Sequence, residues 1–444
     1  MRQLFGTDGM RGVAGVRPLD QATIFATGAA LGKWVNAHHK DPQVVIGMDT
    51  RESGPWIAEY VAGGLASEGV RARFAGLITT PGLAHVTRTG PFAAGVMISA
   101  SHNPYQDNGI KIIDHSGFKL PDRQEHELER DILAFKGEPK PKSLIADEGL
   151  DREYIEHLVS TLPGTLPGGL GGLTLAVDAA NGAATYLAPA LFERLGAKVY
   201  CIGCAPDGKN INLNCGSLHL DGLRVAVAAS GADLGIAFDG DADRALFVSK
   251  SGKIVDGDAV MLIAARRLHA KNKLKEVIAT VMSNLGLERA LARDGIGLVR
   301  TPVGDKYVIE EMVRREAPLG VEQSGHIIFR EFATTGDGLL TALRVLEAVL
   351  ESGKDLDALT ADLETYPQCL VNVRVKHKRE LAELAGVTEQ IRRAEAEFGG
   401  AGRVLVRFSG TEPLARVMVE GPEASRVEHF ANSIAAAIHS ELGG

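Results

Sequence analysis

One pattern occurs three times in the first two thirds of the chain: a strand, a polar loop, a helix, a glycine and a second strand. The first strand of each copy is predicted over 44–48, 173–177 and 277–282. This order, with a glycine ending the helix, is typical of a βαβ unit. The copies lie roughly 100 to 130 residues apart, a spacing that indicates duplicated domains rather than a short-period repeat. We therefore expect three similar α/β domains.

The last part of the chain has a different order of elements, with strands predicted over 371–375, 404–408 and 415–420 and helices over 380–398 and 424–442. This order indicates a smaller α+β domain. The run 163–172 is rich in glycine and proline, which is typical of a connector. The predicted domains are 1–162, 173–252, 253–365 and 366–444.

Composition argues against several functional classes. A net charge of −8 disfavours a dedicated nucleic-acid-binding protein. No apolar run reaches the length of a membrane span, and the N-terminus lacks the apolar stretch of a signal peptide, so we expect a cytoplasmic protein without a membrane partner. Cys201, Cys204, Cys215 and His219 have roughly the spacing of a zinc site. They lack a second close ligand pair, which favours ordinary thiols.

Three aspartates, Asp239, Asp241 and Asp243, alternate with glycine and alanine directly after an apolar segment. Three such carboxylates repel one another unless a cation lies between them, and oxygen ligands favour Mg²⁺. An EF-hand loop is excluded, because Arg244 replaces the required glycine and Lys250 the required glutamate. The alternative is a solvated acidic turn with Arg244 as its counterion.

A serine-rich loop, 99–104, follows the apolar run 93–98. A serine hydroxyl is a poor nucleophile unless its surroundings activate it. A phosphorylated Ser101 would bring roughly two negative charges, which a magnesium ion could bridge. Ser101 is therefore predicted as nucleophile and metal ligand, with Lys111 as a nearby cation or proton carrier. The alternative is that Ser99, Ser101 and Asn103 only cap the following segment.

Two further loops carry groups suited to a phosphorylated sugar. Guanidinium groups, hydroxyls and a glycine form the parts of a phosphate-binding loop, although a plain hairpin turn has a similar composition. These residues are Arg407, Ser409, Gly410, Thr411 and Arg416. In the other loop, Glu322 and Ser324 can bind sugar hydroxyls and His326 can titrate near neutrality. A structural role for this histidine is the alternative.

Together, four motifs resemble the α-D-phosphohexomutase superfamily, at 101–104, 239–244, 322–326 and 407–413. Further segments are similar to the bacterial phosphoglucosamine mutase branch, at 5–12, 210–212, 215–217, 322–323 and 335–338. The resemblance implies an α/β fold of three similar mixed-sheet α/β domains plus a smaller C-terminal α+β domain, arranged around a central cleft. It also implies a phosphoserine loop, a magnesium loop, a sugar-binding loop and a phosphate-binding loop, one in each domain.

The resemblance implies an intramolecular phosphotransferase that interconverts glucosamine 6-phosphate and glucosamine 1-phosphate, feeding UDP-N-acetylglucosamine and cell-wall precursor synthesis. A phosphorylated Ser101 and a 1,6-bisphosphate intermediate would carry the phosphoryl group. One Mg²⁺ per chain would bind Ser101 and the three aspartates. Lys111 would act as general base with His326 as partner, and Arg11 and Arg244 would support the charge. The substrate-binding residues would be Arg244, Glu322, Ser324, Arg407, Ser409, Gly410, Thr411 and Arg416.

The implied partners are a phosphorylated hexosamine and, as a possibility, a second copy in a homodimer. Three other functions stay open at this point. A phosphomannomutase or phosphoglucomutase shares the fold and differs in its sugar. A metal-dependent phosphatase using Ser101 would release inorganic phosphate, and a sugar-phosphate sensor would not turn over at all.

Overall fold

The computed structural model describes residues 3–6, 8–162, 169–409 and 413–443. The chain divides into two compact units. The larger comprises Met1–Val281 and Val299–Ala361, and the smaller comprises Met282–Leu298 and Asp362–Gly444. Most of the predicted connector, at 163–168, lies outside the described residues.

The first sheet of the larger unit is built from β1 (Met10–Val13), β2 (Gln43–Met48), β3 (Arg71–Leu77), β4 (Ala94–Ile98) and β5 (Asp107–Asp114). Their order across the sheet is β1-β5-β4-β2-β3. Strand β2 pairs in parallel with β3 and β4, whereas β5 is antiparallel to β4 and β1. The helices of this part are α1 (Gln21–His38), α2 (Gly54–Ser67), α3 (Thr80–Thr89), α4 (Asp122–Ala134) and α5 (Gly149–Ser160).

The second sheet repeats this arrangement with β6 (Thr174–Asp178), β7 (Lys198–Ile202), β8 (Leu234–Phe238), β9 (Ala245–Ser249) and β10 (Ile254–Val255). The order is β10-β9-β8-β6-β7, again with parallel pairs around the first strand and antiparallel pairs beyond. Its helices are α6 (Ala184–Arg194) and α7 (Asp221–Ser230). Strand β8 is buried along its whole length, because all its residues but Gly235 are apolar.

The third sheet contains β11 (Glu276–Thr280), β12 (Gly297–Thr301), β13 (Leu319–Val321) and β14 (Ile327–Phe329), in the order β12-β11-β13-β14. The helices around it in the sequence are α8 (Gly257–Ala270), α9 (Leu285–Arg293), α10 (Asp305–Arg315), α11 (Gly338–Ser352) and α12 (Leu356–Leu359). The pair β11–β13 is parallel and β13–β14 is antiparallel. Three mixed sheets of similar topology confirm the predicted α/β class.

The smaller unit contains β15 (Gln368–Arg374), β16 (Arg403–Phe408), β17 (Leu414–Glu420), α13 (Ala385–Phe398) and α14 (Ala424–Leu442), together with α9. The strands form an antiparallel sheet in the order β15-β17-β16. Apolar side chains of β17 and α14, among them Val417, Val419 and Ile434, form its core. The predicted α+β arrangement is confirmed, and α9 is attached to it through a bond from the Leu285 N–H to Glu420 Oε1 (2.9 Å).

Two loops follow the carboxyl ends of central strands, which is where open α/β sheets bind their ligands. Ser101 lies in the loop after β4, and the three aspartates lie in the loop after β8. Among the described helices, none is both long and apolar enough to span a membrane. The exact domain ranges remain predictions.

Candidate active site

Ser101 and Asp239 lie in contact although they are far apart in the sequence. The Ser101 hydroxyl donates a hydrogen bond to Asp239 Oδ2 (2.5 Å), and the Ser101 side chain is buried. The Ser101 N–H donates to Ser99 Oγ (2.9 Å). Ser99 therefore does stabilise the loop locally, as the capping alternative predicts, while the Ser101 hydroxyl faces the acidic loop.

The three aspartates form a compact buried group. One carboxylate oxygen from each lies within 4.8 Å of the others, and Asp239 and Asp241 are fully buried. Burial, together with the negative charges of Asp243 and Asp241, raises the pKa of Asp239 well above its ordinary value. The alternative of a solvated acidic turn is wrong, because these carboxylates are removed from water.

Cations and a hydroxyl group surround this acidic group. The Lys111 ammonium lies 3.1 Å from Asp241 Oδ2 and 3.2 Å from Asp8 Oδ2. Thr80 Oγ1 donates to the same oxygen of Asp241 (2.6 Å). Arg11 forms an ion pair with Asp8 and donates to the Ala100 carbonyl (3.4 Å). The structure thus brings Lys111 and Arg11 to the acidic group and the Ser101 loop, as the sequence predicts.

These charges shift one another's pKa in opposite directions. Burial alone would lower the pKa of Lys111, but Asp241, Asp8 and Asp243 raise it above its ordinary value. Burial alone would raise the pKa of Asp243, but His326, Lys111 and Arg244 lower it. Lys111 is therefore held as a cation and Asp243 as an anion at neutral pH.

His326 faces Asp243 from the loop between β13 and β14. Its Nδ1 lies 3.6 Å from Asp243 Oδ1, and its Nε2 accepts a hydrogen bond from the Gly336 N–H (3.0 Å). Burial lowers the pKa of His326, but Asp243 raises it, to about 9. A pKa of about 9 would put a second proton on the ring at neutral pH, but the Gly336 N–H needs a lone pair on Nε2. We take the hydrogen-bond geometry as the guide, because it corresponds to a neutral ring with its proton on Nδ1, toward the carboxylate. His326 thus lies against the acidic loop, and its role in the reaction stays a prediction.

The other predicted sugar-binding residues lie close to His326 in the chain. The Glu322 N–H donates to the His326 carbonyl (2.9 Å), and Glu322 Oε1 accepts from the Gly304 N–H (3.1 Å). Burial raises the pKa of Glu322. Ser324 is exposed, and Arg244 Nε lies 3.8 Å from Asp243 Oδ1. Glu322 and Arg244 influence each other electrostatically, which links the acidic loop to this second loop.

A small cavity lies beside Lys111 and Asp243. Its charged lining combines Asp8, Lys111, Lys119, Asp243 and Asp305. Charged groups of both signs therefore face one another next to the aspartate group.

In the smaller unit, two predicted phosphate-binding arginines lie side by side. Arg407 on β16 and Arg416 on β17 are direct cross-strand partners. Burial and the neighbouring Arg416 charge lower the pKa of Arg407. Ser409 is buried, and its carbonyl accepts a hydrogen bond from the Lys378 ammonium. Gly410 and Thr411 lie outside the described residues.

Sequence reasoning missed several residues that contact the site. Asp8 forms an ion pair with Lys111, and the Thr80 hydroxyl donates to Asp241. Lys378 donates to the Ser409 carbonyl. Asp8 lies in the segment 5–12, which is similar to the phosphoglucosamine mutase branch, whereas Thr80 and Lys378 belong to no distinctive motif.

The cysteines do not assemble into a zinc site. Cys201 and Cys204 are joined by a disulfide, and Cys215 is a free thiol. Across residues 3–6, 8–162, 169–409 and 413–443, the aspartate group is the only set of three or more carboxylate, histidine or cysteine residues close enough to share an ion. The expectation of ordinary thiols therefore holds for Cys215 but is wrong for Cys201 and Cys204, which form the disulfide.

Comparison with known proteins gives a consistent assignment. The chain matches four domains of the family described as phosphoglucomutase/phosphomannomutase: alpha/beta/alpha domains I, II and III at 2–136, 152–252 and 256–366, and the C-terminal domain at 370–437. A phosphoglucosamine mutase of Solibacter usitatus is 60% identical, with 100% of this chain and 99% of that protein covered.

Solved structures agree with this assignment. A phosphoglucomutase/phosphomannomutase family protein from Burkholderia thailandensis has a TM-score of 0.80 at 26% identity, covering 98% of this chain and 97% of its own. The N-acetylphosphoglucosamine mutase of Aspergillus fumigatus, in complex with GlcNAc-6P and magnesium, shares the fold with a TM-score of 0.65 at 18% identity, covering 99% and 96%. The resemblance noted in the sequence is confirmed: the chain belongs to the phosphoglucomutase/phosphomannomutase family of mutase enzymes.

Proposed function

We propose that this chain interconverts glucosamine 6-phosphate and glucosamine 1-phosphate, with Ser101 as the phosphoryl carrier. The observation that carries the proposal is the Ser101 hydroxyl at 2.5 Å from Asp239, at the edge of a buried three-aspartate group. The identity of 60% to a phosphoglucosamine mutase over the full length of both chains supports the choice of sugar.

The aspartate group suits a hard divalent cation. Asp241 Oδ1 is buried and has no hydrogen-bond partner among the described residues, which is costly unless another group binds it. We infer that Asp239, Asp241 and Asp243, with an oxygen of phosphorylated Ser101, hold one Mg²⁺. When bound, Mg²⁺ would offset the charge of the three carboxylates and of the phosphoryl oxygens and would lower the pKa of Lys111.

The proposed transfer conserves the phosphoryl group. The bond between Ser101 Oγ and phosphorus breaks, and a bond forms between phosphorus and the free hydroxyl oxygen of the bound monophosphate. That hydroxyl loses its proton, and Ser101 Oγ regains one. The resulting 1,6-bisphosphate reorients and returns its other phosphoryl group to Ser101 by the reverse step. The sum is an isomerised sugar phosphate and a phosphorylated enzyme.

Lys111, Arg11 and Arg244 supply positive charge beside the reacting group. Such neutralisation is a main source of catalysis in phosphoryl transfer. The raised pKa of Lys111 favours the role of cation, whereas the role of general base requires that it lose its proton. His326, with Nδ1 toward Asp243, is the alternative proton carrier. The identity of the base remains a prediction.

We infer that the remaining predicted residues hold the rest of the substrate. Glu322 and Ser324 would bind sugar hydroxyls. The phosphate that is not reacting would bind at Arg407, Ser409, Gly410, Thr411 and Arg416. The pairing of two arginines across adjacent strands supports this, because like charges placed opposite each other destabilise a sheet unless an anion lies between them. A homodimer stays a prediction.

A coupled assay tests the proposed function. The chain is supplied with Mg²⁺, a catalytic amount of sugar bisphosphate, and glucosamine 6-phosphate, mannose 6-phosphate or glucose 6-phosphate in turn. We expect the fastest isomerisation with glucosamine 6-phosphate and little inorganic phosphate. Preference for mannose or glucose phosphate would support the phosphomannomutase or phosphoglucomutase alternative. Inorganic phosphate as the main product would indicate a phosphatase.

A further inference from the structure

One arginine outside the predicted site donates hydrogen bonds to four backbone carbonyls in the Ser101 loop and at its end. Arg51, just after β2, is 1% exposed, and its Nε donates to Asp49 Oδ2 (2.9 Å). Its two terminal nitrogens donate to carbonyls on the loop, those of Ser101 (2.9 Å), Asn103 (2.8 Å), Pro104 and Asp107 (3.0 Å). One planar guanidinium group thus binds three carbonyls of the loop and the first carbonyl of β5.

A second residue donates hydrogen bonds to two of these four carbonyls. Asn212, which follows the second sheet's strand β7, donates through Nδ2 to the carbonyls of Ser101 (2.9 Å) and Asn103 (3.1 Å). Its own N–H donates to the Ala180 carbonyl (2.9 Å), so its position is held by the loop that follows β6. The Ser101 and Asn103 carbonyls therefore each accept hydrogen bonds from two side chains.

Gly240, in the acidic loop, also lies close to the Ser101 carbonyl. A Cβ atom on Gly240 would lie 2.5 Å from the Ser101 carbonyl oxygen and 2.9 Å from Asn212 Nδ2. Only glycine allows this close approach. Arg51, Asn212 and Gly240 thus enclose the carbonyl of the residue whose hydroxyl contacts Asp239.

Ser101 itself needs such support. Its φ is +53°, in the left-handed region that residues other than glycine, asparagine and aspartate rarely adopt. This backbone conformation accompanies the contact between Ser101 Oγ and Asp239 Oδ2. If the loop relaxed to negative φ, the direction of the Ser101 side chain would change.

We propose that Arg51 and Asn212 are positioning residues, which hold the Ser101 carbonyl so that the hydroxyl, or the phosphoryl group it carries, faces the aspartate group. The proposal rests on the function proposed above for Ser101. It goes beyond that function by assigning roles to two residues that touch neither the aspartate carboxylates nor Lys111 in the contacts described. Misplacement of a reacting group by about 1 Å can cost on the order of 100-fold in rate.

The chain offers a matched pair of asparagines for the test. Asn212 and Asn214 lie in the same loop and share left-handed φ values of 58° and 54°. Asn214 is exposed, whereas Asn212 is buried against the Ser101 loop. Glycine tolerates this φ at both positions, so Asn212→Gly and Asn214→Gly remove a side chain each without straining the backbone.

Three experiments are done with both variants. The first measures kcat and KM with glucosamine 6-phosphate, and the second the rate of Ser101 phosphorylation by added sugar bisphosphate. The third follows amide hydrogen exchange of the peptide containing Ser101–Asp107. For Asn212→Gly we expect kcat and the phosphorylation rate to fall about 10-fold. KM should change less than about two-fold, and the peptide should exchange faster. Asn214→Gly should match the wild type in all three.

Arg51→Lys provides the second variant. Lysine keeps the charge beside Asp49, but one ammonium cannot donate to four carbonyls in the geometry of the guanidinium fork. We expect kcat to fall about 100-fold with a smaller change in KM. If this variant does not fold, as judged by thermal unfolding, the comparison of the two asparagine variants decides alone.

An active wild-type chain whose Asn212→Gly variant matches Asn214→Gly in kcat and in exchange would overturn the positioning proposal alone. A loss in Asn212→Gly that is confined to KM would overturn it as well. A wild-type chain that does not isomerise any hexose or hexosamine phosphate would overturn the proposed function, and with it the catalytic part of the proposal.

Discussion

Two regions of the molecule differ in the charge they concentrate. The first is the Ser101 loop with its aspartates, and the second is the hairpin that carries Arg407 and Arg416. The first region gathers three buried carboxylates with Lys111 and Arg11 around them. The second places two arginines opposite each other across adjacent strands. The first region thus combines carboxylates with cations, whereas the second brings two like positive charges together.

The difference shows which ligand each region can accept. Three carboxylates repel an incoming phosphoryl group, and we propose that the first region uses Mg²⁺ in addition to Lys111 and Arg11 to offset that repulsion. The arginines attract a phosphate directly and need no metal. We therefore assign the transferred phosphoryl group to the first region and the phosphate that stays on the sugar to the second.

Removing the carrier should produce the largest effect. Ser101→Ala deletes the hydroxyl that would accept the phosphoryl group, so kcat should fall by at least about 1,000-fold. The fold should stay intact, because the loop carbonyls keep their bonds to Arg51 and Asn212. Activity is measured in the coupled assay and folding by circular dichroism. Near-normal turnover in a folded Ser101→Ala protein would contradict the assignment.

Removing one metal ligand should have the next largest effect. Asp241→Asn keeps the shape of the side chain but removes a charge that Mg²⁺ would bind, so kcat should fall about 100-fold and more Mg²⁺ should be needed. Activity is titrated with Mg²⁺. Asp221→Asn is the control, since that carboxylate is 99% exposed on α7. Equal Mg²⁺ dependence in the two variants would refute a metal role for Asp241.

Removing one arginine should act on substrate capture. Arg416→Ala deletes a charge-assisted contact worth about 1.5–3 kcal/mol, so KM for glucosamine 6-phosphate should rise about 10-fold or more. Phosphorylation of Ser101 by added sugar bisphosphate should change less. Arg393→Ala, at an exposed position on α13, is the control. An unchanged KM in Arg416→Ala would show that Arg416 does not bind the substrate phosphate.

Metal binding should distinguish the two regions without any turnover. At about 100 times its dissociation constant, Mg²⁺ should stabilise the wild type by about 2.7 kcal/mol. Thermal unfolding should show this stabilisation in the wild type and in Arg416→Ala, but much less in Asp241→Asn. If Mg²⁺ stabilised Asp241→Asn as much as the wild type, Asp241 would not be a ligand of the ion. If Mg²⁺ no longer stabilised Arg416→Ala, the metal dependence would not be confined to the first region.

The sequence predicts the elements of the fold well, because each depends on local patterns. The strand predicted over 44–48 is observed as Gln43–Met48, and the helix predicted over 424–442 as Ala424–Leu442. The helix predicted over 380–398 begins only at Ala385, after a short 3-10 helix at Leu381–Glu383. Periodicity does not distinguish a tight turn of this kind from the first turn of a helix.

The candidate site is predictable only where its chemistry is concentrated in short motifs. The aspartates alternate within five residues, so the carboxylate group can be recognised in the sequence. Thr80 and Asp241 are 161 residues apart, and Arg51 and Ser101 are 50 apart. Such contacts depend on how the sheets pack, which no local pattern encodes.

A single-turnover experiment tests the central claim most directly. The chain is phosphorylated with sugar bisphosphate, purified, and mixed with an equimolar amount of glucosamine 6-phosphate and Mg²⁺. Intact-protein mass, peptide mapping and phosphorus NMR follow the phosphoryl group. We expect the phosphoryl group to start on Ser101 and to pass transiently to glucosamine 1,6-bisphosphate. Ser101 should be phosphorylated again as glucosamine 1-phosphate forms. A phosphoryl group on another residue, or its loss from Ser101 only as inorganic phosphate, would contradict the account.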